Sequence, residues 1–333
     1  MSSPILSIDN VSVHYGSSAG KIRALDDVSL NVTSGEFIAI VGESGCGKST
    51  LALAILRLLP PNSEIKGHIR FGDIDLANAK IRELTALRGT KIGMIFQEPL
   101  DSLNPIEKVG TQMAETIQIK WAEKKWVEKK WVEEKSSRED RLRNEIVESL
   151  REVRIADPEK TVDRYPFQLS GGMAQRVMIA MALSQKPSIL IADEPTSALD
   201  VTTQAQIVQL MKDLAEATDT AVILITHDLG VAAQVADRVV VMYAGEIVEE
   251  GTTKQVFLNP LHPYTKALLR CYPNTVKSAG HLETIEGSVP DLRTEIRGCK
   301  FAGRCPHVKD VCLGDKPSEA YPEINHRVKC TLY

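Results

Sequence analysis

The chain has 333 residues, 43% of them hydrophobic and 25% charged, with a formal net charge of −4 at pH 7. This composition is typical of a soluble globular protein with one large domain and an appendage, or with two modest domains. The acidic balance argues against a nucleic-acid partner bound through a broad basic face, and no apolar run reaches the roughly 18 residues that span a bilayer. The first residues lack the pattern of a secretory signal, so we expect a cytoplasmic protein that reaches a membrane only through a partner.

The first part of the chain predicts strands that lead into a glycine-rich loop. Residues 5–41 alternate apolar and polar positions, which favours antiparallel strands, one of them ending at Tyr15. The apolar run at 37–41 leads directly into the sequence GESGCGKST, and a helix-forming stretch follows. This context distinguishes a phosphate-binding loop from a glycine-rich turn that binds nothing. The loop residues expected at a nucleotide are Gly42, Ser44, Gly45, Cys46, Gly47, Lys48, Ser49 and Thr50.

The chemistry of such a loop follows from its residue types. Glycines let successive backbone N–H groups face phosphate oxygens, and the following helix presents its positive N-terminal end. We expect Lys48 to reach the β- and γ-phosphates of ATP and the Ser49 hydroxyl to bind Mg²⁺.

The middle of the chain predicts a parallel sheet with a helical insertion. Residues 67–72, 92–97, 188–193 and 221–226 favour strands, whereas residues 107–185 and 201–217 favour helices. This alternation predicts a mainly parallel sheet covered on both faces. Trp121, Trp126 and Trp131 begin three similar five-residue segments. We interpret them as a solvated, charge-rich excursion, with a partner-binding surface as the alternative.

Two further segments carry candidate functional groups. Asp193 ends an apolar strand, where its carboxylate can hold Mg²⁺ directly or through water, and Glu194 is placed to take a proton from an attacking water. Acidic residues that merely end a strand are the alternative. Ser170, Gly171 and Gly172 precede a long helical run, and a helix N-terminus of this kind favours an anion.

Together with Gln97, residues 197–200 and His227, these segments make residues 5–255 similar to the nucleotide-binding subunits of ABC transporters. The resemblance implies an α/β P-loop NTPase fold of the ABC type. Such a fold has a RecA-like parallel sheet core, an antiparallel β subdomain and a helical subdomain. We place the ABC ATPase domain at residues 1–258, with the helical subdomain at about 107–185.

The resemblance also implies roles for single residues. Tyr15 would stack on adenine, Gln97 would sense Mg²⁺ and water, and His227 would contact the γ-phosphate. Asp200 would lie at a dimer seam, and the segment that begins at Ser170 would cap the ATP held by the opposite subunit. Because one chain has one phosphate loop and one such segment, we expect a head-to-tail pair of subunits with ATP between them.

A narrower resemblance concerns residues 97–105 and 260–269, which are similar to the ATPases of oligopeptide and dipeptide importers. In that family the first segment receives a coupling helix of the permease. The family's C-terminal extension, here residues 259–333, often carries four cysteines. The resemblance implies a [4Fe–4S] cluster held by Cys299, Cys305, Cys312 and Cys330. The spacing alone leaves Zn²⁺, or free thiols and disulfides, as alternatives, although it lacks the C-x-x-C pairs of zinc ribbons.

The sequence therefore predicts the ATP-hydrolysing subunit of an ABC importer for di- or oligopeptides. Its predicted partners are a second ABC ATPase, expected to be a paralogue, and two transmembrane permeases at the cytoplasmic face of the cell membrane. An extracellular solute-binding protein would take part indirectly, and no nucleic acid is expected. Oligosaccharides or nickel are alternative solutes. A soluble non-transport ABC ATPase and a metal-sensing module are alternatives from other classes.

Overall fold

The computed structural model describes residues 3–17, 20–127, 135–197, 199–271 and 284–333. Its strands are β1 (Leu6–Ser17), β2 (Gly20–Val32), β3 (Phe37–Val41), β4 (Ser63–Phe71), β5 (Ile74–Asp75), β6 (Ile92–Ile95), β7 (Ile189–Asp193), β8 (Ala221–Thr226), β9 (Arg238–Tyr243), β10 (Glu246–Thr252), β11 (Glu319–Glu323) and β12 (His326–Lys329). Its helices are α1 (Lys48–Ile55), α2 (Ile81–Leu87), α3 (Pro99–Ser102), α4 (Val109–Val127), α5 (Lys135–Glu152), α6 (Pro158–Thr161), α7 (Gly171–Ser184), α8 (Val201–Thr218), α9 (Leu229–Val235), α10 (Thr253–Leu258), α11 (Pro263–Arg270) and α12 (Asp310–Gly314).

The chain forms two compact units. The first unit combines residues Met1–Leu84 with Ile223–Tyr333, and the second unit is Thr85–Val222. The first unit is therefore assembled from both ends of the chain. The domain limits expected from the sequence, at 258 and at 107–185, stay predictions.

The first unit contains a separate antiparallel sheet in the strand order β2-β1-β4-β5. The alternating pattern of the sequence produces it, since Val11, Val13 and Leu25 are fully buried. The strand predicted to end at Tyr15 is longer: Tyr15 pairs with Ile22, and β1 continues to Ser17, which pairs with Gly20. That boundary was wrong because the ladder with β2 continues past Gly16.

The nucleotide loop follows β3. This strand belongs to a second sheet, in which its neighbourhood has the strand order β11-β12-β10-β9-β3-β8. All five residues of β3 are buried, as its continuous apolar sequence requires. It pairs in parallel with β9, from Ile38 with Arg238 to Val41 with Val241. The prediction of antiparallel strands through residue 41 is thus wrong for β3, because its partner follows nearly 200 residues later along the chain and runs in the same direction.

The C-terminal extension adds strands to this sheet. β12 pairs antiparallel with β10, where Glu249 lies opposite Val328, and β11 pairs with β12. Both strands are short, and the residues of β11 are largely exposed. Backbone hydrogen bonds thus join the extension to β10.

A buried carboxylate fixes the junction between the sheet and the extension. Glu249 on β10 has no exposed surface. Its Oε1 accepts a hydrogen bond from the backbone N–H of Leu261 at 2.8 Å, and its Oε2 accepts one from that of His262 at 2.8 Å. Nε2 of His326, which is equally buried, lies 2.8 Å from Oε1. One side chain thus holds the start of α11 and the start of β12 against β10.

The second unit contains further strands and helices that the sequence predicted. β6 and β7 are parallel neighbours, from Ile92 with Ile189 to Ile95 with Ala192. Helix α7 contacts α3, α4, α5, α8 and β6, and its apolar residues are largely buried. The parallel, helix-covered sheet predicted from the sequence is confirmed in these elements.

Of the three tryptophans, only Trp121 has a side chain in the described part of the chain. Its Nε1 donates to Oε2 of Glu145 at 3.0 Å, and the guanidinium of Arg141 lies 5.3 Å from the ring centroid. The Trp121 side chain on α4 therefore packs against α5. The side chains of Trp126 and Trp131 lie outside the described residues, so the proposed excursion stays a prediction.

None of the helices found in the described residues is long and apolar enough to cross a membrane.

Replacing Glu249 tests the junction. Glu249→Ala would leave two backbone N–H groups and His326 buried without their partner, so we expect the free energy of unfolding to fall by about 3–5 kcal/mol. Asp9→Ala is the control, because Asp9 pairs with Arg70 where both side chains are about half exposed, and it should cost less than about 1 kcal/mol. Denaturant unfolding followed by circular dichroism measures both. Equal losses for the two variants would contradict the assignment.

Candidate nucleotide-binding site

The loop between β3 and α1 is shaped by glycines that approach other backbone segments. A Cβ on Gly42 would lie 2.3 Å from the Met242 carbonyl oxygen, and one on Gly47 would lie 2.6 Å from that of Ala24. Gly47 also has a φ of 105° at the N-cap of α1. Both the close approach and the left-handed backbone exclude a side chain there. The loop is therefore held between β2 and the turn that joins β9 to β10.

Lys48 lies inside this loop and contacts its backbone. The side chain is 5% exposed, and Nζ donates to the carbonyl oxygens of Gly42 at 2.9 Å and Glu43 at 3.1 Å. The positive charge is thus fixed at the start of α1, where the helix end adds its own partial positive charge. Ser44, Gly45 and Ser49 are exposed on the open side of the loop. This arrangement suits a bound anion.

Cys46 has a packing role in the loop. It is 2% exposed, its N–H donates to the Glu43 carbonyl at 3.3 Å, and its own carbonyl accepts from Gly245 at 2.9 Å. Burial raises the pKa of its thiol, so Cys46 stays protonated at neutral pH.

Two other predicted residues of the first unit surround the loop. The Tyr15 hydroxyl and the Thr50 hydroxyl are hydrogen-bonded at 3.2 Å, which places the Tyr15 ring beside the first turn of α1. His227 is exposed and directly follows β8, the neighbour of β3 in the sheet.

Glu43 is a residue of this loop whose contacts sequence reasoning missed. Its carboxylate forms a two-point ion pair with Arg304, with contacts of 2.7 Å and 2.9 Å. Its backbone N–H donates to the Tyr264 hydroxyl at 2.9 Å. Glu43 occupies a variable position of the motif, and its partners follow more than 220 residues later. No pattern in the sequence connects these positions.

In the second unit, the predicted catalytic residues meet at the ends of β6 and β7. Asp193 is the last residue of β7, and Glu194 follows with a φ of 45°. Nε2 of Gln97, two residues after β6, donates to Oε2 of Glu194 at 3.1 Å. A left-handed φ at a non-glycine residue is unfavourable and often marks a functional site. The structure therefore brings Gln97 and Glu194 together, while their catalytic roles stay predictions.

The segment that begins at Ser170 lies beside Asp200, also in the second unit. Ser170 caps α7 by accepting from the Met173 N–H at 3.3 Å, and Asp200 caps α8 by accepting from the Thr203 N–H at 3.0 Å. Both helix N-termini, with Gly171 and Gly172, line an open depression of about 430 Å³. Ala198, next to this depression in sequence, lies outside the described residues. The depression combines backbone donors with two helix ends, which suits a phosphate group.

The four cysteines of the extension converge. All four are free thiols, and they line one small pocket together with Phe301. Every pair among them is close enough to interact electrostatically. Burial raises the pKa of Cys299 to about 11, with a further contribution from the other three thiols. In the described part of the chain no group of three or more His, Cys, Asp or Glu side chains is arranged around a single metal ion. A cofactor at this pocket stays a prediction.

Comparison with known proteins identifies the class. Residues 25–197 match the family described as ABC transporter. The solved structure described as "Dimeric Structure of MJ0796, a Bacterial ABC Transporter Cassette" is 32% identical, with a TM-score of 0.63 over 74% of this chain and 98% of that one. The predicted fold class is confirmed, and the chain belongs to the ABC transporter family.

Further matches relate the chain to ATP-binding proteins of peptide transporters. Residues 248–312 match the family described as oligopeptide/dipeptide transporter, C-terminal region. The dipeptide transport ATP-binding protein DppD of Bacillus subtilis is 45% identical, over 98% of this chain and 94% of that protein. The oligopeptide transport ATP-binding protein AppD of the same organism is 41% identical, over 99% and 97%. DppD of Escherichia coli is 42% identical, over 98% and 96%.

Substitutions at two glycines test the geometry. Gly42→Ala places a methyl group on the Met242 carbonyl, so we expect loss of nucleotide binding and a lower melting temperature. Gly72→Ala is the control, since Gly72 also has a positive φ, of 54°, but has open space around it and lies outside the loop. It should cost only about 1–2 kcal/mol of backbone strain and keep nucleotide binding. Fluorescent-nucleotide titration and thermal unfolding measure both effects. If Gly42→Ala binds nucleotide as well as Gly72→Ala does, the close approach does not control the site.

Proposed function

We propose that this chain is the ATP-hydrolysing subunit of an importer for di- or oligopeptides. The observation that carries the proposal is the glycine-rich loop closed around Lys48, in a chain with full-length relatives named dipeptide and oligopeptide transport ATP-binding proteins. The peptide class of the solute rests on those relatives, and the ATPase chemistry rests on the residues described above.

Nucleotide binding follows from the loop. In this proposal the phosphates of ATP replace the two loop carbonyls as partners of Lys48, and the exposed Ser49 hydroxyl binds Mg²⁺. Tyr15, already beside Thr50, stacks on the adenine ring. Backbone N–H groups of the loop and the N-terminus of α1 hold the anionic phosphates.

Hydrolysis requires the carboxylates that follow β7. We assign Asp193 to Mg²⁺ and Glu194 to general base catalysis on the attacking water. The Gln97 amide donates to Glu194 and orients its carboxylate, and its side chain also takes part in sensing the metal and the water. His227 contacts the γ-phosphate in this assignment.

A second ATPase subunit completes each site in this proposal. The depression at the N-termini of α7 and α8 presents Ser170, Gly171, Gly172 and Asp200 on an open surface. We assign it to the γ-phosphate of ATP held by the partner, so that ATP closes the pair and hydrolysis reopens it. The solved dimers of related cassettes support this arrangement. A paralogue as partner is part of the proposal.

The membrane partners are two permeases, and we place the subunit at the cytoplasmic face of the membrane. In residues 97–105 the Leu100 side chain is 44% exposed, and Ile106 directly after this segment is 81% exposed. Such a surface suits a helix of the permease that transmits movement from the nucleotide sites.

For the four-cysteine pocket we propose a [4Fe–4S] cluster with a structural role. Four converging free thiols match its ligand set, and burial of such a cluster would help to order a small extension. Cys299, Cys305, Cys312 and Cys330 would bind as thiolates, so cofactor binding must overcome the raised pKa of the buried Cys299. Zn²⁺ is the alternative.

Glu194→Gln tests the catalytic assignment. The amide keeps the shape of the side chain but cannot accept the proton, so ATP turnover should fall about 10²–10⁴-fold while nucleotide binding is retained. Glu216→Gln on the exposed side of α8 is the matched control and should turn over ATP normally. Steady-state phosphate release and nucleotide titration measure the two effects. Unchanged turnover in Glu194→Gln would exclude this residue as the base.

Cys312→Ser tests the cofactor. We expect anaerobically purified protein to contain iron and acid-labile sulfide in equal amounts, with visible absorbance that Cys312→Ser removes. Cys271→Ser, outside the pocket, should retain both. Colourless protein with stoichiometric zinc would exclude the cluster.

A further inference from the structure

Glu43 poses an electrostatic problem that the proposed function leaves unsolved. It lies inside a loop that is meant to receive a triphosphate, and a carboxylate so close to an anion site opposes binding. Within the described residues this carboxylate is engaged by Arg304 at 2.7 Å and 2.9 Å. A planar guanidinium that binds both carboxylate oxygens neutralises the charge and fixes its direction.

Arg304 is held firmly enough to act on the loop. Its side chain is only 5% exposed. Nη2 also donates to the Ile285 carbonyl at 3.1 Å, and Nε donates to the Glu286 carbonyl at 3.1 Å. Its guanidinium lies 5.7 Å from the ring centroid of Tyr243. The position of Arg304 is therefore fixed by its own contacts, and the loop conformation must fit the position of its guanidinium.

Tyr264 holds the backbone of the same residue. It is fully buried, its ring centroid lies 4.6 Å from that of Tyr243 and 5.5 Å from that of Phe301, and its hydroxyl accepts from the Glu43 N–H. Burial raises its pKa well above the usual range, so the phenol stays neutral at all working pH values. The peptide before Glu43 is thus held by a buried aromatic cluster formed by the extension together with Tyr243 of β9.

The contacts at Glu43 reach Lys48 through the backbone of this one residue. The Glu43 carbonyl accepts from Lys48 Nζ at 3.1 Å and from the Cys46 N–H at 3.3 Å. Side chain, N–H and carbonyl of Glu43 are therefore all engaged, the first two by the extension and the third by the loop. A shift of this residue changes where the Lys48 ammonium group lies.

We propose that Arg304 and Tyr264 are positioning residues for nucleotide binding: they neutralise and hold Glu43, and so set the charge and shape of the phosphate loop. The inference rests on the proposed ATP site. It assigns the extension a direct role in ATP affinity, separate from any cofactor at its cysteines. Arg304 acts through Glu43 and does not itself touch the nucleotide.

The test compares ATP affinity and steady-state ATPase kinetics in full-length variants. Arg304→Gln leaves Glu43 unneutralised, so we expect ATP binding about tenfold weaker, with KM raised and kcat little changed. Glu43→Gln combined with Arg304→Gln removes the exposed negative charge and should restore most of the affinity. Arg304→Lys keeps the charge and should bind ATP better than Arg304→Gln. Arg293→Gln, which breaks a similar but exposed pair with Asp291, should match the wild type.

Tyr264→Phe provides a second variant that preserves ring packing and removes only the acceptor for the Glu43 N–H. It should weaken ATP binding by less than Arg304→Gln does, at an unchanged melting temperature. Unaltered affinity in Arg304→Gln, or a loss that Glu43→Gln does not relieve, would overturn the inference. Failure of the proposed function is distinguishable: in that case the wild type itself would not bind ATP, and Lys48→Ala would have no effect.

Discussion

The close approach of three backbone segments at Gly47 is the constraint on which the nucleotide site depends. A Cβ on Gly47 would meet Ala24, and one on Gly245 would lie 2.7 Å from the same Ala24 carbonyl. β2, the phosphate loop and the turn after β9 therefore meet at a contact that admits no side chain. Because Gly47 is the N-cap of α1, this contact sets the direction of the helix and the starting point of Lys48. The glycines thus fix the base of the site, while its exposed side stays free for a ligand.

Charged side chains are paired around the base of the nucleotide site. Glu43 and Asp26 each form an ion pair with a cation of the C-terminal extension. Arg304 pairs with Glu43, while Lys300 lies 2.9 Å from Asp26 and donates to the Ala244 carbonyl at 2.9 Å. Burial by itself would raise the pKa of Asp26, but Lys316 and Lys300 together hold it below its usual range. The C-terminal extension therefore neutralises acidic groups near the base of the loop, which lowers the repulsion that a polyanion would meet there.

The sequence predicted the parts of the fold whose residues are adjacent in the chain. The apolar β3, the glycines after it and the Ser170 segment before α7 follow local rules, and each lies where the sequence placed it. The direction of β3 and the pairing of β12 with β10 were missed, because strand pairing depends on residues far apart in the chain. The contacts of Glu43 were missed for the same reason, because its partners Arg304 and Tyr264 lie far away along the chain. Asp193 and Glu194 could be proposed from the sequence because a strand and its acidic end form one short pattern.

The distance between Glu43 and Arg304 has a consequence for biosynthesis. The two residues are separated by 261 positions, yet both belong to the first unit, together with most of the remaining C-terminal strands. A ribosome that adds about 5–20 residues per second needs on the order of ten seconds or more to make the intervening chain. During that time the phosphate loop lacks its contacts with Arg304 and Tyr264, and the Glu43 carboxylate lacks the ion pair with Arg304. The nascent protein therefore acquires a finished nucleotide site only when its last tenth emerges, so that translation arrest before residue 304 yields a chain with an incomplete loop.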